Sequence, residues 1–178
     1  KLTNLIGEIS LKKSGVFSAQ INSKINNKND FSLSIKTNSR DEKVTNLFIE
    51  EPEPFINNYK FIKGFTEGKL SYGSIEKNNK TNSNLKIYKF KVQEVPILAK
   101  LLTLASLQGI ADLLTGEGIR FKEFEMDYES TQSHVKIDEM YAIGPAISIL
   151  MEGYIEKNNL ISLRGTLVPA TTINKTIS

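Results

Sequence analysis

The chain of 178 residues has no cysteine and a single histidine, His134. Without cysteine there is no disulfide framework, thiolate metal site or cysteine nucleophile. One histidine excludes a multi-histidine metal centre, and no motif pairs His134 with a nucleophilic serine, so it reads as decoration at the start of a strand. No GxxxxGK or GxGxxG run is present, which makes Gly116-Glu117-Gly118 a turn and not a phosphate loop. The net charge of +3 is scattered in singles and pairs such as Lys12-Lys13. Nucleic-acid binders gather basic residues on one stripe; none is visible, and nucleic acid is not an expected partner. Long apolar runs are equally scarce. Only one exists, VPILAKLLTLASLQGIADLLTGEGI, at residues 95–119.

What is present is a globular composition, 39% hydrophobic and 24% charged, at a length suited to one domain. The opening Lys1, the lack of a signal peptide and the abrupt end at Thr176-Ile177-Ser178 read as a piece of a longer protein, with targeting information elsewhere. Most of the chain alternates with period two, the mark of strands that bury one face. Phe17, Ala19 and Ile21 share a face, as do Phe31, Leu33 and Ile35, then Leu47 and Ile49, then Tyr88, Phe90 and Val92. Polar breakers separate the runs: residues 26–30, Ser39-Arg40-Asp41, an asparagine-rich loop at 78–84, and the turn Lys157-Asn158-Asn159. Phe55, Tyr59 and Ile62 fall at helical spacing after Pro52 and Pro54, which predicts a short helix over residues 54–63 with Gly64 as its cap. The order is four or five strands, a short helix, two strands, a long helix and four strands. The expected fold is mainly β with minor α: a curved, groove-forming antiparallel meander.

The apolar run is the interpretive problem. A membrane span needs about 20 apolar residues, and residues 96–114 include Lys100, Gln108 and Asp112; a charge near a span's centre costs about 2.5–3.5 kcal/mol. On a helix these polar residues scatter around the circumference, and a helix apolar nearly all round is buried on more than one side. Pro96 suits a first turn, and the glycines at 116 and 118 allow the return to a strand. The reading is one long plug helix over 96–114, lying against the apolar face of a curved sheet.

The carboxylates Glu123, Glu125, Asp127 and Glu129 alternate with Phe124, Met126 and Tyr128. Paired carboxylates serve acid–base chemistry or cation binding, but this alternation places all four on the outer face, where solvation accounts for them. No residues suggest an enzyme, a metal or another cofactor. The remaining signal is apolar. Leu101 and Leu104 on the helix and Phe124, Met126, Ile147, Ile149, Met151 and Leu163 on the strands, with Tyr128, Ile161 and Leu167 nearby, form either a plain core or a trough for an acyl chain.

Two segments carry a family pattern. VPILAKLLTLASLQGIADLLTGEGIRF (95–121) is followed by GPAISILMEGYIEKNNLISLRGTLVPA (144–170). Together they resemble the AsmA-like C-terminal domain of large Gram-negative envelope proteins, the group of AsmA, YhdP and TamB. The landmarks are VPxLAxLLxLASLxGxxDLLxGxGIxF, a GPA, a G-x-(I/V)-(D/E) strand at Gly153 and L-x-L-R-G-T-L-V-P, where Ile161 replaces the first leucine. The specific match covers residues 55–172; residues 1–51 fit only as generic strands. The family's usual continuation, an asparagine, an apolar helix and an I-P-x-x-G run, is replaced by Asn174-Lys175-Thr176-Ile177-Ser178. The resemblance implies one β-groove segment of a periplasmic protein held in the inner membrane by an N-terminal anchor. It implies contact with phospholipid acyl chains carried towards the outer membrane. The residues leave open a structural or docking scaffold with a dry core, and an outer-membrane barrel shares the alternating pattern, although a buried helix and short polar loops argue against it.

Overall fold

The computed structural model describes residues 1–13, 15–58, 63–156 and 160–170. Ten strands run in chain order as one antiparallel meander: β1 (Leu2–Lys12), β2 (Gly15–Ile25), β3 (Asn29–Thr37), β4 (Lys43–Ile49), β5 (Lys63–Lys77), β6 (Lys80–Gln93), β7 (Ile119–Ser130), β8 (His134–Ile143), β9 (Ile147–Glu156) and β10 (Ile161–Pro169). The sheet is curved and does not close into a barrel; β1 and β10 are its edges. Helix α1 (Glu53–Ile56) lies between β4 and β5, while α2 (Pro96–Leu104) and α3 (Gln108–Thr115) lie between β6 and β7.

The period-two pattern becomes rows of side chains that cross the sheet. One row joins Phe31, Ile49, Leu70, Ile87, Phe124, Ala142, Ile149 and Leu167 through successive cross-strand pairs. The next joins Leu33, Leu47, Tyr72, Leu85, Met126, Met140 and Met151. Since a one-residue slip would turn every apolar side chain outward, burial of this face fixes the register along the meander.

Tight turns make the strands longer than the polar loops suggest. Asn78 and Asn79 have φ of 51° and 61° and form a two-residue connection between Lys77 and Lys80. Such hairpins require positive φ at both central residues, which asparagine tolerates. The expected loop over 78–84 is therefore only its first two residues, and residues 81–84 pair within β6. Likewise Asn29 and Asp30 belong to β3, after a turn in which Asn26 and Asn27 have φ of 51° and 62°. The turn Lys157-Asn158-Asn159 lies outside the described residues; the strands flanking it pair as expected, Ile155 opposite Ile161.

One face assignment is corrected. Lys89 has φ of 51° and interrupts the alternation, so that Ile87, Phe90 and Val92 are buried while Tyr88 is exposed. In the adjacent β5, Glu67 and Gly68 also have positive φ, 65° and 86°. Irregularities of this kind bend a strand and raise its local twist. Beside this line Phe90 stacks between Phe65 and Phe121, with ring centroids 5.5 and 5.4 Å away; such pairs contribute about 0.5–1.5 kcal/mol beyond burial.

The helices differ most from expectation. The long helix over 96–114 is two helices, broken at residues 105–107, where Ser106 has φ of 59° and the Leu107 N–H reaches back to the Leu102 carbonyl at 2.8 Å. The break has a packing cause. Helix α2 packs Leu98, Leu101 and Leu102 against the core, and α3 packs Ile110, Ala111 and Leu114. At about 100° per residue these two faces would point to roughly opposite sides of a straight helix. Turning the chain between them lets both meet the sheet. The predicted short helix over 54–63 is the single turn α1; Tyr59 and Ile62 lie outside the described residues, Lys63 begins β5, and Gly64 is no cap but a strand residue with φ of 63°. Buried Pro52 starts this turn, Phe55 stacks on Phe31 at 5.9 Å, and the Asn57 amide bonds both the N–H and the carbonyl of Phe65, at 3.1 and 2.9 Å.

Two glycines hold the last hairpin together. A Cβ on Gly153 would collide with the Ser162 carbonyl, and one on Gly165 with the Leu150 carbonyl. Gly165→Val is thus expected to detach β10 from β9, read as loss of amide-exchange protection over 161–169 with β3–β7 still protected. Retained protection of β10 would show that the backbone gives way instead.

Candidate functional site

The inner face of the sheet, α2 and α1 line a cavity of about 480 Å³ that is open on one side. Its floor is the rows Ile87–Phe124–Ala142–Ile149 and Leu85–Met126–Met140–Met151; Phe65, Phe90, Val92 and Phe121 close one side, and Ile56, Val95, Leu98 and Leu101 cover it. Every lining residue is apolar, and the volume falls within the roughly 300–1,000 Å³ of small-molecule sites. Such a lining is compatible with aliphatic groups and offers nothing to an ion: no donor, acceptor or charge reaches it. Among the described residues no group of three or more His, Cys, Asp or Glu is placed to hold a metal, and no helix is long and apolar enough to cross a membrane.

Of the eight apolar candidates, Leu101, Phe124, Met126, Ile149, Met151 and Leu163 line this cavity. Ile147 does not. It is fully buried beside it in the core with Leu102, Leu114 and Ile119. Leu104 is 73% exposed and outside the lining, so the expectation that it faces the strands is corrected. It sits at the last residue of α2, where the chain turns away, and Leu98 and Leu101 take the covering role. Met140 and Ala142 were missed, although they continue an alternating face. Ile87 and Leu85 were hidden by the interruption at Lys89, which puts them on the same face as Phe90 although the alternation through Tyr88 places them opposite. Phe65 lies beside the positive-φ residues of β5.

Comparison with known proteins gave no match to a family model, to a curated protein or to a solved structure. The functional reading accordingly rests on the site itself.

The opposite face of the same strands is polar and bonded. Glu125 accepts hydrogen bonds from Lys86 Nζ at 2.7 Å, the Tyr141 hydroxyl at 2.6 Å and Asn84 Nδ2 at 2.7 Å. Lys86 foremost, then Tyr141, hold its carboxyl at about 2, below the ordinary 4.5, against an opposing effect of burial. The same bond, with Glu125 as acceptor, pushes the Tyr141 hydroxyl up. Asn84 also donates to Asp127 at 2.7 Å, and Lys80 pairs with Glu129 at 2.6 Å. The four carboxylates do lie outward, but solvation alone does not describe them: they tie β6, β7 and β8 together.

This network has a pH signature. A group whose pKa is lower in the folded chain stabilises it above the unfolded value, and that contribution is lost as pH falls through the folded value. Wild-type protein should lose stability between about pH 4.5 and 2 through Glu125, and Glu125→Gln should flatten that part of the profile. Urea midpoints measured across this window check it; identical acid limbs in the two proteins would remove Glu125 from the account.

Proposed function

We propose that this chain is a non-enzymatic lipid-groove module that takes acyl chains of phospholipid into the cavity beneath α2. The observation that carries the reading is the wholly apolar lining of a cavity of about 480 Å³. Two further features support it. The apolar rows of the cavity floor continue onto neighbouring strands, through Leu70, Ile49 and Phe31 and through Tyr72, Leu47 and Leu33. The cavity's cover is a nine-residue helix that ends in a break and takes no part in the hydrogen-bonded ladder of the sheet. Taken with the AsmA-like pattern of residues 95–121 and 144–170, the reading places the module in a periplasmic part of an inner-membrane-anchored protein that serves phospholipid transport and outer-membrane maintenance.

The test is purification without detergent, followed by lipid extraction and crosslinking in cells from a photoreactive residue at Leu98. Phospholipid adducts at Leu98, with none from the same residue at exposed Leu150 on the outer face, are the expected result. Absence of adducts at Leu98, while a known lipid carrier labels in parallel, would overturn it. A second reading, a structural or docking scaffold with a dry core, draws on Leu102, Leu114, Ile119 and Ile147, each at most 1% exposed, which fill the sheet–helix layer beside the cavity.

A further inference from the structure

The apolar face of the groove is interrupted at one place. Two residues along the strands from the cavity floor, about 7 Å on, the inner positions of β4, β5, β6 and β7 are Thr45, Ser74, Ser83 and Tyr128, consecutive cross-strand partners. Four hydroxyls therefore cross the groove in a line, while the same row holds Ile35 in β3 and Ile137 in β8. Ser74 and Ser83 are buried, 8% and 7% exposed. From the row nearer the cavity Tyr72 reaches Ser83, its hydroxyl 3.2 Å from Ser83 Oγ.

Burying hydroxyls on an apolar face costs free energy unless they are bonded, and a plain core would place valine or alanine at these positions without loss. The row contains no cation. On the same face, Lys43 lies one row further out and is held by Glu76 at 2.8 Å. A row of neutral donors suits neutral acceptors, such as ester carbonyls, and offers no counter-charge to a free carboxylate or phosphate. Burial, followed by the neighbouring Tyr72, raises the pKa of Tyr128 and keeps it an O–H donor across the physiological range.

We propose that the groove binds an esterified acyl chain in one orientation, its tail in the cavity under α2 and its ester linkage at the hydroxyl row formed by Thr45, Ser74, Ser83 and Tyr128. The proposal rests on the acyl-chain reading above and adds the polarity of the site and its preference for esters. The polar end of the lipid then emerges on the side of the β5–β6 turn, away from α3.

Two photoreactive phospholipids test it on the full chain, one with a diazirine at the acyl terminus and one with a diazirine beside the ester. The terminal probe should label residues around Leu98, Leu101 and Phe124, and the ester-proximal probe residues around Thr45, Ser83 and Tyr128. Ser83→Ala with Tyr128→Phe should weaken retention of phosphatidylethanolamine about 10-fold or more, two hydrogen bonds' worth, and leave retention of hexadecane unchanged. Equal labelling of both regions by both probes, reversed labelling, or parallel loss of hexadecane would overturn the orientation while leaving acyl binding intact. No labelling by either probe would overturn acyl binding itself.

Discussion

Leu102→Ala is expected to lower the unfolding free energy by about 2–5 kcal/mol, and Leu104→Ala, two residues on in the same helix, to change it by no more than about 0.5 kcal/mol. Leu102 is 0% exposed and joins α2 to the cluster of Leu114, Ile119 and Ile147. Removing its side chain takes away its burial, worth roughly 1.5–3 kcal/mol, and leaves a void that neighbours on a hydrogen-bonded sheet fill poorly. Leu104 is 73% exposed, so truncation removes almost no buried area. Urea unfolding of the two variants beside wild type gives the comparison directly. If both cost the same, α2 does not sit on the sheet through Leu102, and the covered cavity loses its roof.

That contrast also shows what the sequence conveys and what it hides. Alternation identified the inner faces of β2, β3, β4 and the second half of β7, because a strand with one buried face writes its burial into every second position. In the first half of β7 the phase differs, since Phe121 is buried on the same side as Phe124. The meander order followed, since short polar turns leave antiparallel neighbours little alternative. The helix pair was hidden for a physical reason. Two short apolar faces roughly opposite in phase sum to a segment that looks apolar all round, which is also the pattern of one helix buried on every side. Only the position of the sheet distinguishes them. The bend at Lys89 was hidden too, because lysine gives no local warning of a positive φ, unlike the asparagines at 78 and 79. Six of the eight apolar candidates reach the cavity, five because they lie on strands whose period held there and Leu101 from the covering face of α2. Leu104 fails at a helix end, and Ile147 lies beyond the cavity wall.

The same rows explain how one sheet carries a tight core and a cavity together. Beside α3, Ala111 and Leu114 pack down onto Ile119 and Ile147 and leave no exposed apolar surface among the four beyond 4%. Beneath α2 half of the floor is Ala142 and three methionines, Met126, Met140 and Met151, the other half being Leu85, Ile87, Phe124 and Ile149. Methionine is unbranched and adaptable, and alanine leaves room above itself. These small and pliant residues leave room between the fixed shapes of Ile87, Phe124 and Ile149.

Filling that room from below separates the two readings of the cavity. Ala142 is 6% exposed, sits between Phe124 and Ile149 in the cross-strand row, and lines the cavity. In a dry, well-packed core Ala142→Leu adds three carbons where none fit, and overpacking of this kind costs about 1–3 kcal/mol. In a cavity kept open for a ligand the added side chain enters empty space and buries its own surface, worth roughly 25 cal/mol per Å². The expected outcome is an unfolding midpoint equal to or above wild type, with lipid recovered from the purified protein falling at least several-fold because the leucine occupies the volume of the tail. Ile149→Val, a smaller residue at the adjacent lining position, controls for a general disturbance of β9 and should retain lipid. Loss of stability in Ala142→Leu with lipid content unchanged would place the acyl chain elsewhere and leave the scaffold reading in possession of this end of the sheet.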